Sequence, residues 1–342
     1  GQKVRAAVAP SMSASDITAA NVSPEGADRV VGNIEVDITK SRKVSFNLTG
    51  EEEAGLGNFN RENIRQQTFQ QAFRTLTNEV EADLAAQYVN ASRAYGTAGT
   101  TPFGTGDDLT DLTKTIQILV DNGAPASSMQ AVLNSTAGMQ LLGKQGAVFK
   151  VNEAGNDLAQ RQGMFQDMFG ATIGISGQIA AHAKGAGVGY DAAGGEAIGE
   201  TEIALDGGTV NTTGIKAGDV VTFAGDDNKY VNSTSLTAVS GNINIGAPGL
   251  LETLADTTEL TIGDSYLPSM VFSRDAIVLA ARAPYAPSEG DSADDRVFVT
   301  DPVSGLVFEI SLYRQYRQVS YEVGLAWGVK TANSRHLALL LG

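Results

Sequence analysis

The chain has 342 residues, 42% of them apolar and 18% charged, which is enough for two or three domains with real cores and excludes a disordered chain. With 24 Lys and Arg against 39 Asp and Glu, the net charge of −15 counts against nucleic-acid binding by the chain as a whole, while leaving room for a local basic face. There is no cysteine, so neither disulfides nor thiolate metal sites hold it together, and no apolar run reaches the length of a membrane span.

The opening GQKVRAAV carries neither a signal pattern nor an initiator Met, so a segment ahead of Gly1 is expected to be missing or cleaved. Residues 3–10 alternate weakly, and a loop over 11–29 leads to two alternating strands. Ile34, Val36 and Ile38 line one, and Val44, Phe46 and Leu48 the other. The polar, basic stretch 39–43 between them reads as the exposed tip of an extended β arm. So small an apolar face is marginal alone, and the arm is expected to lie on a partner.

Residues 60–96 read as one long helix, the spine of the chain. Phe69, Phe73, Leu76, Val80 and Leu84 fall within roughly 80° of one another, and Tyr88 widens the stripe to about 120°. Asn60 is the expected cap, Glu62 complements the positive end, and Gly96 is a natural stop. The opposite face carries Arg61, Arg65, Gln70, Arg74, Glu81 and Asp83, too polar for a membrane and without a sustained heptad.

Beyond a Gly/Thr-rich loop, Asp107 or Asp108 caps a short helix carrying Leu109, Leu112, Ile116, Leu119 and Val120, ended by Gly123 and Pro125. A strand over 129–133, a helix over 135–142, a weaker helix over 158–168 and a strand near Ile175 continue an α/β pattern. Residues 201–264 differ, with short strand patterns at 202–205, 219–223, 229–231, 236–239 and 259–262 separated by Gly/Asp/Asn turns. Nine acidic residues stand there against two lysines, which reads as an acidic, independently folded small barrel or sandwich. Residues 271–280 then read as a strand turning into a helix capped by Asp275, and strands over 296–299, 306–313 and 319–327 close the chain.

This order resembles the major capsid proteins of tailed bacteriophages, the Hong Kong 97-type fold, and most closely the coat proteins of short-tailed Salmonella phages, which carry an inserted β-barrel. The likeness rests on Val44-Ser45-Phe46-Asn47-Leu48, Glu51-Glu52-Glu53 and the run from Phe69 to Leu84. Gln160-Arg161-Gln162-Gly163 with the residues to Gly170, and Lys216-Ala217-Gly218-Asp219-Val220-Val221-Thr222-Phe223-Ala224-Gly225, add to it. So do Arg274-Asp275-Ala276-Ile277 and the Trp327-Gly328-Val329 strand followed by Arg335. One departure is that the family has an N-terminal arm or helix ahead of the β arm.

The resemblance implies an α+β fold. Its parts are an E-loop arm (1–50), a P-domain with the spine (51–105), an A-domain (106–200 and 266–310) interrupted by a β-barrel I-domain (201–265), and P-domain return strands (311–342). It further implies a structural protein that self-assembles as hexamers and pentamers into an icosahedral head, located in the virion and assembled in the host cytoplasm. Its expected partners are itself, scaffolding and portal proteins, a decoration protein, and packaged DNA contacted only non-specifically, with no membrane and no cofactor. An encapsulin-like shell is the alternative within the fold, a β-rich adhesin-like surface protein the alternative outside it, and an enzyme stands third.

The chemistry-bearing residues read blandly. His182 and His336 are isolated, structural or surface residues and no metal centre. Gly185-Ala186-Gly187-Val188-Gly189 lacks the strand, helix and spacing of a dinucleotide loop, and Asp226-Asp227-Asn228 is a hairpin turn and not a calcium half-site. Asp294-Asp295 has no partner base. The candidate inter-subunit residues are Lys40, Arg42 and Lys43 on the arm, Glu51, Glu52 and Glu53 in the link, and Arg61 and Arg65 on the spine. The arm cations are expected to meet the acidic link of a neighbouring copy.

Overall fold

The structure, a computed structural model, describes residues 3–8, 32–104, 108–144, 168–209, 213–302 and 304–342, without the side chains of 7, 8, 57–59 and 61. In chain order its strands begin with β1 (Lys3–Val8), β2 (Gly32–Asp37), β3 (Lys40–Thr49), β4 (Arg93–Tyr95), β5 (Met129–Asn134) and β6 (Ala171–Ser176). Next come β7 (Asp191–Ala192), β8 (Glu202–Asp206), β9 (Val220–Phe223), β10 (Lys229–Val231), β11 (Gly241–Asn244) and β12 (Leu260–Ile262). The last six are β13 (Pro268–Ser273), β14 (Ile277–Arg282), β15 (Asp295–Thr300), β16 (Val307–Gln315), β17 (Gln318–Thr331) and β18 (Leu337–Leu341). The α-helices are α1 (Gly50–Ala85), α2 (Thr110–Asp121) and α3 (Ser135–Gly143). The expected helix over 158–168 falls almost wholly outside the described residues.

Two compact units divide the chain, one of residues 1–77 and 278–330 and the other of 78–277 and 331–342. In the first, β14, β17, β16 and β15 form a sheet in that order, and β3 pairs with β17 over ten residues, from Thr49 opposite Gln318 to Lys40 opposite Trp327. β1 and β2 make a separate antiparallel pair. The two arm strands expected as neighbours, β2 and β3, therefore do not form a hairpin. The chain breaks direction at Ile38 and Thr39, and the basic stretch, expected at an arm tip, lies inside the β3–β17 ladder. The ladder wins because ten residues of backbone pairing place Val44, Phe46 and Leu48 on the half-buried side while Lys43, Ser45 and Asn47 face solvent.

α1 starts at Gly50, ten residues before the expected cap Asn60, and a 3₁₀ turn from Ala86 to Asn90 replaces its expected last turns. Its 36 residues measure about 54 Å. In the first unit Leu76 and Ala72 are buried, Phe69 packs edge-on against Phe46 and Tyr321, and Phe73 packs against Phe308 at 5.0 Å. Trp327, the chain's single tryptophan, is fully buried in β17.

The second unit is built on an eight-stranded sheet in the order β12-β9-β10-β4-β18-β13-β5-β6. β18 is its most apolar strand, Leu337-Ala338-Leu339-Leu340-Leu341, and every residue is buried. Side chains alternate across a strand, so Ala338 and Leu340 join the core with Leu112, Leu119, Leu133 and Leu141, while Leu337, Leu339 and Leu341 join the opposite one with Tyr266 and Met270. Asn134 caps α3 by accepting from Ala137 N at 2.8 Å, and the Asp108 carboxylate accepts from Thr110 N at the start of α2.

Residues 190–260 contribute a third core, with Tyr190, Leu205, Ile215, Phe223, Tyr230 and Leu250 among its members. The strands of this segment are shared out. β7, β8 and β11 form their own three-stranded sheet, whereas β9, β10 and β12 extend the large one because β10 pairs with β4, Lys229 opposite Ala94 and Tyr230 opposite Arg93. The segment thus has its own core but not its own isolated set of strands. Residues 236–239, expected as a strand, make only an isolated bridge at Leu236. The expected helix at 275–280 is the strand β14 instead. Asp275 stands in the turn closed by Ala276 N and Ser273 O, and β-branched Ile277 and Val278 follow it.

Candidate assembly surfaces

The arm, the start of the spine and the outer strand of the five-stranded sheet carry exposed features of the first unit. β1 and β2 are tied by Lys3 to Glu35 at 3.0 Å, Arg5 to Glu35 at 2.9 Å and a longer contact of Lys3 to Asp37. The hydrogen bond and charge of Lys3, followed by those of Arg5, hold the Glu35 carboxyl below its ordinary value. These groups are solvated, so the pairs set register more than they stabilise. What seats the arm is β2: Val36 is fully buried, and Lys330 Nζ donates to the Glu35 carbonyl at 3.1 Å.

The acidic link is not a link but the first turn of α1. Thr49 and Glu52 close it reciprocally, and Gly50 N donates to the Arg317 carbonyl at 3.2 Å. The Thr-x-x-Glu spacing that marks such a cap was present in the sequence and is the signal that would have moved the helix start. Glu51 is exposed and Glu53 half-buried. Lys43 pairs with Glu322 at 2.7 Å, and Arg65 with Glu62 at 2.9 Å on the same helix. Lys40 and Arg42 stand on β3 opposite Trp327 and Leu325. The side chain of Arg61 is outside the described set. From Lys43 to Thr49 the strand runs about 20 Å, so the cations and the acids sit toward opposite ends of β3.

β15 is the outermost strand of its sheet, and its Val297, Phe298 and Val299 are all exposed, Phe298 at 58%. Consecutive exposed residues point to both faces, so neither face is covered. At the β16–β17 turn Tyr316 is 88% exposed beside Arg317. These strands are legible in the sequence pattern, but their apolar edge does not stand out in it.

In the second unit the two histidines are packed side chains. His182 is buried, its Nε2 2.8 Å from Asp219 Oδ1 and its Nδ1 2.8 Å from the Tyr88 hydroxyl. Burial, then the charge of Asp219, pushes the Tyr88 hydroxyl up. His336 Nδ1 lies 3.5 Å from Asp275. The glycines at 185–189 serve close approach: a Cβ on Gly185 would stand 2.2 Å from the Gly214 carbonyl. Asp226-Asp227-Asn228 is the β9–β10 turn, where Asp226 Oδ1 accepts from Asn228 N at 2.8 Å. Among the described residues no group of three or more His, Asp or Glu is placed to hold a metal, and no helix is long and apolar enough to cross a membrane.

No protein-family model matches the chain, and no curated protein sequence does. Solved structures do. The capsid of the cyanophage P-SCSP1u matches with a TM-score of 0.51 at 10% identity, covering 100% of this chain and 83% of that one. A structure from Mycobacterium phage Che8 matches with a TM-score of 0.49 at 11% identity, covering 99% and 84%, and a virus-like particle from Pyrococcus furiosus with 0.43 at 11%, covering 99% and 86%. The fold is α+β and of the Hong Kong 97 capsid type.

Proposed function

We propose that this chain is the major capsid protein of a tailed bacteriophage, assembling with itself as hexamers and pentamers into the icosahedral head that encloses the genome. The observation that carries the reading is the fold likeness to a phage capsid over the entire length of the chain. Residues 1–50 then act as the E-loop laid on a neighbour, 51–105 and 311–342 as the P-domain, and 106–200 with 266–310 as the A-domain. Residues 201–265 form the I-domain, as in the coat proteins of short-tailed Salmonella phages. A slender two-stranded arm and an apolar outer strand at β15 are features that a second copy would bury. Contacts of Lys40, Arg42, Glu51 and Glu53 with a second copy belong to the same proposal, while Lys43 is already held by Glu322 within the chain. The protein works by assembly and not by catalysis. Scaffolding, portal and decoration proteins complete the set of partners, and contact with packaged DNA is non-specific.

The test is negative-stain electron microscopy with sedimentation, on the protein expressed alone and with any co-encoded scaffold. Closed shells support the reading, and their nucleic-acid content separates a genome container from an encapsulin-like compartment. A strict monomer under both conditions overturns it in favour of a soluble β-rich protein.

A further inference from the structure

We propose that the cavity beside β4 in the second unit is a binding site for a carboxylate, with Arg93 as its recognition group. The cavity measures about 590 Å³, in the size range of small-ligand sites, and is walled by β4, the loop after it, α2 and the β9–β10 turn. Arg93 lies between β10 and β18 in the middle of the sheet and is 7% exposed. A buried guanidinium is best satisfied by an anionic partner.

Among the described residues it meets only neutral oxygens. Nη1 donates to Asn228 Oδ1 at 3.2 Å, Nη2 donates to Asn122 Oδ1 at 3.3 Å, and the buried Nε has no acceptor. Both bonds are at the long end for N–H donors. The two amides are held in place from behind. Asn122 donates to the Arg335 carbonyl at 2.8 Å, and Asn228 donates to Asp226 Oδ1 at 2.6 Å. Asp226 is thus one residue removed from the guanidinium, and its other oxygen accepts the Tyr230 hydroxyl at 2.6 Å.

The remaining charges favour a single negative group. Lys229 lines the same cavity, half-buried, and its Nζ donates to the Gly96 carbonyl and not to an acid. Of the acids in the wall, Asp111 already accepts Phe103 N at 2.7 Å, while Asp121 and Asp227 are exposed at the rim with Lys114. The interior thus carries two cations against the engaged Asp111, while the rim carries two acids against one lysine, so a single negative charge suits the site and the acidic rim disfavours the second charge of a phosphate dianion. Arginine's planar fork matches the two oxygens of a carboxylate. The carboxylate comes either from a small molecule or from an Asp or Glu side chain of a second copy of this acidic chain. The site itself stands independently of the capsid reading.

The experiment is a thermal-shift titration of the full chain with sodium acetate at ionic strength held constant with sodium chloride, and with sodium phosphate in parallel. A saturable rise with acetate, larger than with phosphate and at least threefold weaker in apparent affinity in Lys229→Met, is expected. Arg93→Lys is the second variant, with Lys229→Met carrying the test if the strand does not tolerate that change. No saturable acetate effect, or an identical one in Lys229→Met, overturns the proposal. Acetate that also slows assembly of the wild-type chain identifies a second copy as the source, and unaltered assembly identifies a free carboxylate.

Discussion

Thr49 and Glu52 hold each other across the first turn of α1. Glu52 Oε2 accepts from both the backbone N–H and the hydroxyl of Thr49 at 2.9 Å, while Glu52 N donates to Thr49 Oγ1 at 3.3 Å. The same bond fixes the end of β3, because Thr49 is its last residue and stands opposite Gln318. A single box therefore sets both where the strand stops and where the helix starts.

The backbone and hydroxyl bonds from Thr49 hold the Glu52 carboxyl below its ordinary value of 4.5. A depressed acid stabilises the fold above its unfolded pKa, and the contribution fades as pH falls through the lower, folded value. Glu52→Ala is expected to lower Tm at pH 7 and to match the wild type at a pH below both values. Melting curves taken from pH 7 stepwise into acid check this, and a Tm gap that persists unchanged in acid would remove the box as its cause.

Gly328 is the second point of control. A Cβ there would stand 1.9 Å from the Asp37 carbonyl, at the end of β2, so the backbone of the arm must give way. Overpacking of this kind costs about 1–3 kcal/mol. Gly328→Ala is expected to cut hydrogen-exchange protection in β1 and β2 while Trp327 next to it keeps a buried, blue-shifted emission. Gly177→Ala, with nothing within 4 Å of the added carbon, is the control. Equal protection in both variants would show that β2 does not depend on this close approach.

The elements that were legible in the sequence are those whose side chains carry a period. The alternation of β3, the α2 pattern and the strands β15, β16 and β17 appear within a few residues of their expected limits, and the stripe Phe69, Phe73, Leu76 and Val80 falls on a helix as expected, although that helix starts ten residues earlier and ends eleven residues sooner. What was not legible depended on partners distant in sequence. The Lys40 to Lys43 stretch looks like a solvated tip until β17 is seen beside it, and nothing local in Lys229-Tyr230-Val231 announces pairing with Arg93 and Ala94. Asp275 resembles a helix cap because caps and turns use the same residue types, and only the ladder around β13 decides between them. Among the candidate assembly residues, Glu52 and Lys43 have clear roles within the chain, and the apolar edge Val297, Phe298 and Val299 was hidden inside a correct strand assignment.

Asp206 is a site where the fold works against itself. It stands directly opposite Asp191 across β8 and β7, and the hydrogen bond with Asp191, then burial and the charges of Asp191 and Asp256, raises its carboxyl above 3.8. A raised acid contributes stability below its unfolded pKa and loses it as pH rises through the folded value. Asp206→Asn keeps a hydrogen-bonding side chain without the charge, and it is expected to raise Tm at pH 7 with little change near pH 3. A lower Tm at neutral pH would mean that the pair is held by a favourable contact, such as a bound cation, and not by like charges.

Asp219 gathers three donors in the second unit. Oδ1 lies 2.8 Å from His182 Nε2 and accepts from Gly185 N at 3.0 Å, and Oδ2 accepts from Lys216 N at 2.7 Å and from Gly185 N at 3.1 Å. Tyr266 closes the far side, its hydroxyl donating to the Gly218 carbonyl at 2.6 Å. An asparagine has the same shape but turns one acceptor into a donor, so either the His182 side or the Lys216 side loses its bond. Hydrogen bonds to a charged group contribute about 1.5–3 kcal/mol, and a buried donor left unmatched adds to the loss. Asp219→Asn is therefore expected to destabilise by about 2–3 kcal/mol, or about 5–10 °C in Tm for a unit of this size. Urea denaturation of the wild type, Asp219→Asn and His182→Gln measures it. If the network acts as one unit, the double variant loses less than the sum of the two single changes. Additive losses would show that Asp219 orders the 185–216 backbone on its own, with His182 only packing beside it.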